Sequence, residues 1–176
     1  VPQHLREHLS AFYSFENDQL HLVETASDSE FMSTPMSFSG GGGWDMLGNG
    51  GIACNAADFA CLLDMIMNQG RHRGEVFISE QHAAQLCRSV SHDLQHKQML
   101  PGCEYSYGVG AVVDPKTYHT RGTGSSGPKG KMWWGGSTNT YFFYVPERRR
   151  LGVFLANTFP FGHKGILYRF GALSGL

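Results

Sequence analysis

Five consecutive residues, Tyr141-Phe142-Phe143-Tyr144-Val145, present no polar face, and after Pro146 and the charged run Glu147-Arg148-Arg149-Arg150 a second apolar run occupies 151–156. A strand with one wet face alternates apolar and polar residues, whereas an unbroken apolar run suits a strand covered on both sides. The short charged link makes the two runs an antiparallel hairpin, and the three arginines its solvated turn. The rest of the chain must therefore cover both faces of a sheet, which selects a layered architecture with flanking helices.

The sequence supplies that cover. Asn55 is a good N-cap, Asp58 falls in the first turn, and Gly70 stands where a helix should end. Between them Ala56, Phe59, Ala60, Leu63, Ile66 and Met67 follow helical spacing and form one apolar stripe, with Asp58 and Asp64 off it. Ser79 with Glu80 predicts a second N-terminus, followed by Ala83, Ala84 and Leu86, and a last short helix is predicted over 164–173. Residues 70–75 read as a polar turn and 89–104 as a polar connection, while strands are predicted over 107–113, 131–135, 140–145 and 151–156. At the amino end a short helix is expected over 4–16 and a short strand over 19–23. The order of helices, then strands, then a helix is that of an α+β fold, an antiparallel β-sheet covered by helices. At 176 residues, 41% of them hydrophobic, the chain suffices for one domain.

Charge narrows the function. Fourteen basic side chains against fifteen acidic ones leave no field that would draw nucleic acid or an anionic membrane, so a small-molecule ligand is expected. No apolar stretch approaches the roughly 20 residues of a membrane span. Cys54, Cys61, Cys87 and Cys103 match no metal or redox spacing and read as buried free thiols, which favours a reducing compartment such as the cytoplasm. His92 and His96 have i, i+4 spacing without the Glu that frames a zinc helix, so no metal site is expected. The glycine-dominated stretch 37–51 lacks the Gly-Lys-Ser/Thr ending of a phosphate loop. In Trp134-Gly135-Gly136-Ser137, two glycines at a strand end expose main chain to a bulge or to a ligand.

Trp134-Gly135-Gly136, followed by the apolar strand from Thr140, resembles the third active-site motif of class C β-lactamase-like esterases and peptidases, a family that permits Lys-Thr-Gly, His-x-Gly or Trp-Gly-Gly there. Gly50-Gly51-Ile52 and Asn55-Ala56-Ala57-Asp58-Phe59-Ala60 are similar to that family's Gly-Gly-Leu-x-x-Thr-Ala-x-Asp helix entry, with Gly70, Gly74 and Ser79-Glu80 in register. Tyr107-Gly108-Val109-Gly110 is similar to its Tyr-Gly-x-Gly strand, so the resemblance runs over about residues 40–158.

The resemblance implies part of a β-lactamase/transpeptidase-like fold. It implies a serine hydrolase acting on ester or amide bonds through an acyl-enzyme, with no cofactor. Trp134, Gly135 and Gly136 would border the substrate, and the main-chain N–H of Ser137 would donate to the oxyanion. Trp134 stands where a lactamase has lysine, which shifts the expected substrate toward esters. The family's Ser-x-x-Lys and Tyr-x-Asn have no match here. Ser126-Gly127-Pro128-Lys129 has the first spacing, but its glycine and proline cannot hold the helical turn the pair requires. Residues 1–176 are accordingly expected to be the carboxy-terminal part of such a domain. An upstream segment, a companion chain or another copy would complete it, and alone the chain would be inactive. The alternative is a non-catalytic binding or assembly module that retains the sheet.

Overall fold

The computed structural model describes residues 3–24, 54–91, 103–106, 110–112, 127–136 and 138–175. The glycine-dominated stretch 37–51, His92, His96, Ser126 and Ser137 lie outside them.

The amino-terminal segment corrects the helix expected over 4–16. After a 3₁₀ turn at Gln3–His8 the chain forms β1 (Phe12–Glu16) and returns as β2 (Gln19–Glu24). Phe12, Tyr13 and Phe15 suit a pleated surface better than a helix. Asn17 and Asp18 take φ of 50° and 63°, the left-handed pair that closes a tight hairpin.

Helix α1 (Ala56–Met67) forms as its sequence predicts: Asn55 Oδ1 accepts from the Asp58 N–H at 2.9 Å, capping the first turn. Its C-cap is Asn68, two residues before the expected Gly70; the Gly70 N–H returns to the Met65 carbonyl at 2.9 Å, its φ is 86°, and an added Cβ there would run into the Ile78 carbonyl. The expected polar turn is instead a small ladder, β3 (Arg71–His72) with β4 (Glu75–Val76). Helix α2 (Glu80–Leu86) is capped by Ser79, whose Oγ accepts from the His82 N–H at 3.3 Å.

The main sheet contains β5 (Cys103–Tyr105), β6 (Gly110–Val112), β7 (Met132–Gly136), β8 (Thr140–Val145) and β9 (Arg150–Phe154), in that order and antiparallel throughout. Strand β5 falls at the end of the stretch read as a polar connection; its Tyr105 N–H donates to Ser91 Oγ at 2.7 Å. The predicted hairpin is β8–β9, in register from Tyr141 opposite Phe154 to Val145 opposite Arg150. A second sheet places β1 between β2 and β10 (Thr158–Phe159), with β1 and β10 parallel.

Both faces of β8 are covered, as its apolar sequence requires. Tyr141, Phe143 and Val145 join Trp133, Cys103 and Leu167 under α3 (Ile166–Ala172), with Phe154 and Phe170 at the margin. Phe142 and Tyr144 turn the other way, toward Leu63, Phe59, Ile66 and Met67 of α1, with Met132, Leu151 and Val153. Each large side chain so buried is worth about 1.5–3 kcal/mol. The arginine turn is tied down rather than merely solvated: Arg148 donates to the Gly175 carbonyl at 2.7 Å and Arg149 to Asn68 Oδ1 at 3.0 Å. Of the four thiols expected to be buried only Cys103 is; Cys61 and Cys87 are half-buried, and Cys54, which precedes α1, is exposed.

Candidate active site

Residues Trp134, Gly135 and Gly136 end β7, opposite Phe142, Tyr141 and Thr140 of β8. The described ladder between β7 and β6 covers Met132 and Trp133 only, so β8 alone holds the last three residues among the described ones. Strand alternation sends Trp133 and Gly135 to the α3 face and Gly136 to the α1 face. Trp133 is buried and stacks on Tyr141 with centroids 5.8 Å apart. Trp134 is half-buried, 6.0 Å from Trp133 and edge-on to Tyr105 at 6.0 Å. Beside it the Tyr105 hydroxyl is enclosed and has no hydrogen-bond partner among the described residues. Burial first, and the neighbouring Cys103 second, push its pKa up, so it stays a neutral donor at pH 7.

The two glycines differ. A Cβ at Gly136 would collide with Thr140 Oγ1. At Gly135 it would meet Tyr141 Cδ2 at 3.4 Å, the Thr140 carbonyl at 3.5 Å and Phe161 Cε2 at 3.6 Å, all ordinary contacts. The packing accepts a methyl group at Gly135, so none of these contacts requires glycine there.

The turn after Gly136 is held by a residue that the sequence reading did not single out. Asn139 has a φ of 57°, and its N–H donates to the Gly136 carbonyl at 3.1 Å. Its side chain is 1% exposed and makes four bonds to the stretch after β9. Nδ2 donates to the Thr158 carbonyl at 2.9 Å, to Thr158 Oγ1 at 3.1 Å and to the Pro160 carbonyl at 2.9 Å, and Oδ1 accepts from the Gly162 N–H at 2.7 Å. Thr138, buried beside it, accepts from the Thr158 N–H at 3.0 Å. An Asn between two strands signals a turn that tolerates positive φ, but nothing local announces partners twenty residues on.

Of the expected site residues, Trp134, Gly135 and Gly136 are placed together at one strand end. Ser137 is outside the described residues, as is Ser126 of the loop motif, whose Lys129 is exposed. Among the described residues no cluster of three metal-ligating side chains occurs, and no helix is long and apolar enough to cross a membrane.

No family model and no curated protein matches this sequence. Among solved structures the chain is similar to EstCE1, a hydrolase with promiscuous acyltransferase activity, at a TM-score of 0.62 and 16% identity. The match covers 94% of this chain and 42% of that one, so the chain spans less than half of its neighbour's length. At this identity the likeness is one of fold, and the α+β fold is one that a hydrolase also uses.

Proposed function

We propose that residues 1–176 are the carboxy-terminal part of a β-lactamase-like serine hydrolase, of the penicillin-binding-protein and esterase type, that cleaves ester or amide bonds, including β-lactams, through an acyl-enzyme. In this reading an upstream segment, a companion chain or another copy brings the nucleophilic serine with its lysine, and this chain brings the third-motif strand. Trp134, Gly135 and Gly136 border the substrate. The main-chain N–H of Ser137 donates to the oxyanion, a fixed donor of the kind whose removal costs about 3 kcal/mol of barrier. The reaction so read calls for no metal or cofactor, since a serine, a base and oxyanion donors suffice.

The observation that carries the reading is Gly135: bare main chain at a strand end, at a position where a methyl group would fit without a clash. A carbonyl carbon under attack must approach such a strand closely, and a side chain there would hold it off. The neutral indole of Trp134 favours esters over acids that need a cationic partner. The shared fold with a hydrolase supports the same class.

A fluorophosphonate probe followed by mass spectrometry tests the proposal. The expected result is no label on this chain alone and a labelled serine on the longer or companion polypeptide that completes it. Label on Ser126 of the isolated chain would make these residues a complete enzyme. Ligand binding without label in any form would favour the binding module.

A further inference from the structure

We propose that Asn139 is the positioning residue of the oxyanion donor, holding the end of β7 in the geometry that the tetrahedral intermediate needs. The assignment rests on the hydrolase reading above and adds to it a residue that touches neither substrate nor nucleophile.

A donor that stabilises a developing oxyanion has to be aimed beforehand, because an N–H that must reorient during the reaction loses part of its effect. A peptide is planar and trans, so its N–H points opposite its carbonyl. The Gly136 carbonyl belongs to the peptide whose N–H the hydrolase reading gives to the oxyanion, and it accepts from the Asn139 N–H at 3.1 Å. One bond therefore sets the direction of the donor. That bond is only as steady as Asn139, and Asn139 is clamped. Its buried side chain donates to the Thr158 carbonyl at 2.9 Å, to Thr158 Oγ1 at 3.1 Å and to the Pro160 carbonyl at 2.9 Å, and accepts from the Gly162 N–H at 2.7 Å. The same segment holds Thr138, whose carbonyl accepts from the Thr158 N–H at 3.0 Å. Gly136 on one side of the donor and Thr138 on the other are thus tied to a common support.

The support is braced in turn by the amino-terminal hairpin. Strand β10 pairs with β1, Phe12 meets Phe159 edge-on with centroids 5.1 Å apart, and His163 stacks on Phe15 at 4.2 Å. Lys164 pairs with Asp18 at 2.9 Å. A glycine alone would satisfy the φ of 57° at position 139. The four side-chain bonds serve the rigidity of the turn rather than its shape.

The test uses the complete protein as wild type, Asn139→Gly and Leu63→Ala, each assayed where urea unfolding shows it folded. It measures kcat and KM for p-nitrophenyl acetate, and inhibition by phenylboronic acid, whose boron becomes tetrahedral when a serine oxygen adds to it. Asn139→Gly keeps the left-handed turn and its main-chain N–H and removes the clamp. Leu63→Ala weakens the core on the α1 face of the sheet and serves as the control for general damage. The expected result is that Asn139→Gly lowers kcat by about a hundredfold, the effect of misplacing a reacting group by about 1 Å, and weakens phenylboronic acid by a similar factor. KM stays within about twofold, because the interaction is made only in the tetrahedral state. Leu63→Ala keeps the kcat of the wild type. An Asn139→Gly variant as active as the wild type, a loss confined to KM, or a fall in kcat shared by Leu63→Ala overturns the assignment while the hydrolase reading stands. A wild type that turns over no ester and takes no fluorophosphonate label removes the hydrolase reading, and the assignment with it.

Discussion

Lys131 Nζ donates to the carbonyl oxygen of Gly171 at 3.2 Å and so ties the entry of β7 to the last turn of α3. The residue is fully buried, with its ammonium 5.5 Å from the ring centroid of Tyr141 and 5.3 Å from that of Phe143. A cation suits both the negative end of a helix and the faces of aromatic rings. Removal from water outweighs these attractions, and burial pushes the lysine pKa down from 10.5 to about 7.

Stability is therefore expected to rise with pH above neutrality. Between about pH 7 and the unfolded lysine's pKa the unfolded chain binds the proton and the native chain does not, so the slope of unfolding free energy is positive. Burial raises the Cys87 thiol and the Tyr144 phenol, and their contribution is lost as pH climbs through their unfolded values, which limits the rise to the window below about pH 9. Two pH units of this linkage amount to at most about 3 kcal/mol. Lys131→Met should flatten the rise, because it removes the buried titrating group. Urea unfolding at intervals from pH 6 to 9 checks both; a flat wild-type profile would refute the assignment.

Asn139→Ala is expected to destabilise the protein by about 3 kcal/mol. The substitution strips donors from the Thr158 and Pro160 carbonyls and puts a Cβ-bearing residue without a compensating bond at positive φ. Asn139→Gly removes the same bonds without the backbone penalty and should cost about 1 kcal/mol less. Equal losses in the two variants, measured by urea unfolding, would remove the backbone part of this account.

The elements that read clearly from sequence are those whose signals are local. The stripe from Ala56 to Met67 between Asn55 and Gly70 specifies α1, and the apolar runs around residues 147–150 specify β8–β9, because periodicity, caps and turn chemistry lie within each segment. The strand expected over 19–23 forms as β2, whereas residues 12–16 form a strand and not the expected helix, because aromatic residues spaced among polar ones fit either. The deciding partners are remote: the Tyr13 N–H bonds to the Asn157 carbonyl, and β10 pairs alongside. The site divides the same way. Trp134, Gly135 and Gly136 are conspicuous as a motif, whereas the clamp from Asn139 to Pro160 and Gly162 exists only once the chain has returned.

Trp134→Ala should alter acyl-chain preference in the completed enzyme more than turnover of the best ester. The indole is half-buried at the strand end, edge-on to Tyr105 and stacked on Trp133, so it shapes the surface beside those two rings and supplies no proton or charge to the reaction. A p-nitrophenyl ester series of increasing chain length checks this, and a profile parallel to that of the wild type would exclude Trp134 from the substrate's path.

Gly135→Ala separates fold from site. A methyl group there meets Tyr141, the Thr140 carbonyl and Phe161 at 3.4–3.6 Å, and the backbone needs no left-handed angle, so the change in stability should stay within about 0.5 kcal/mol. The same methyl group occupies the space through which an acyl carbon would reach the strand, and displacing a reacting carbonyl by about 1 Å costs on the order of a hundredfold in rate. Urea unfolding and ester hydrolysis measured on one preparation should therefore part company, with folding kept and turnover lost. Gly136→Ala provides the contrast, because its Cβ collides with Thr140 Oγ1 and should lower stability and turnover together. If Gly135→Ala kept both, the bare main chain would be a feature of the strand alone, and the substrate's approach would lie elsewhere.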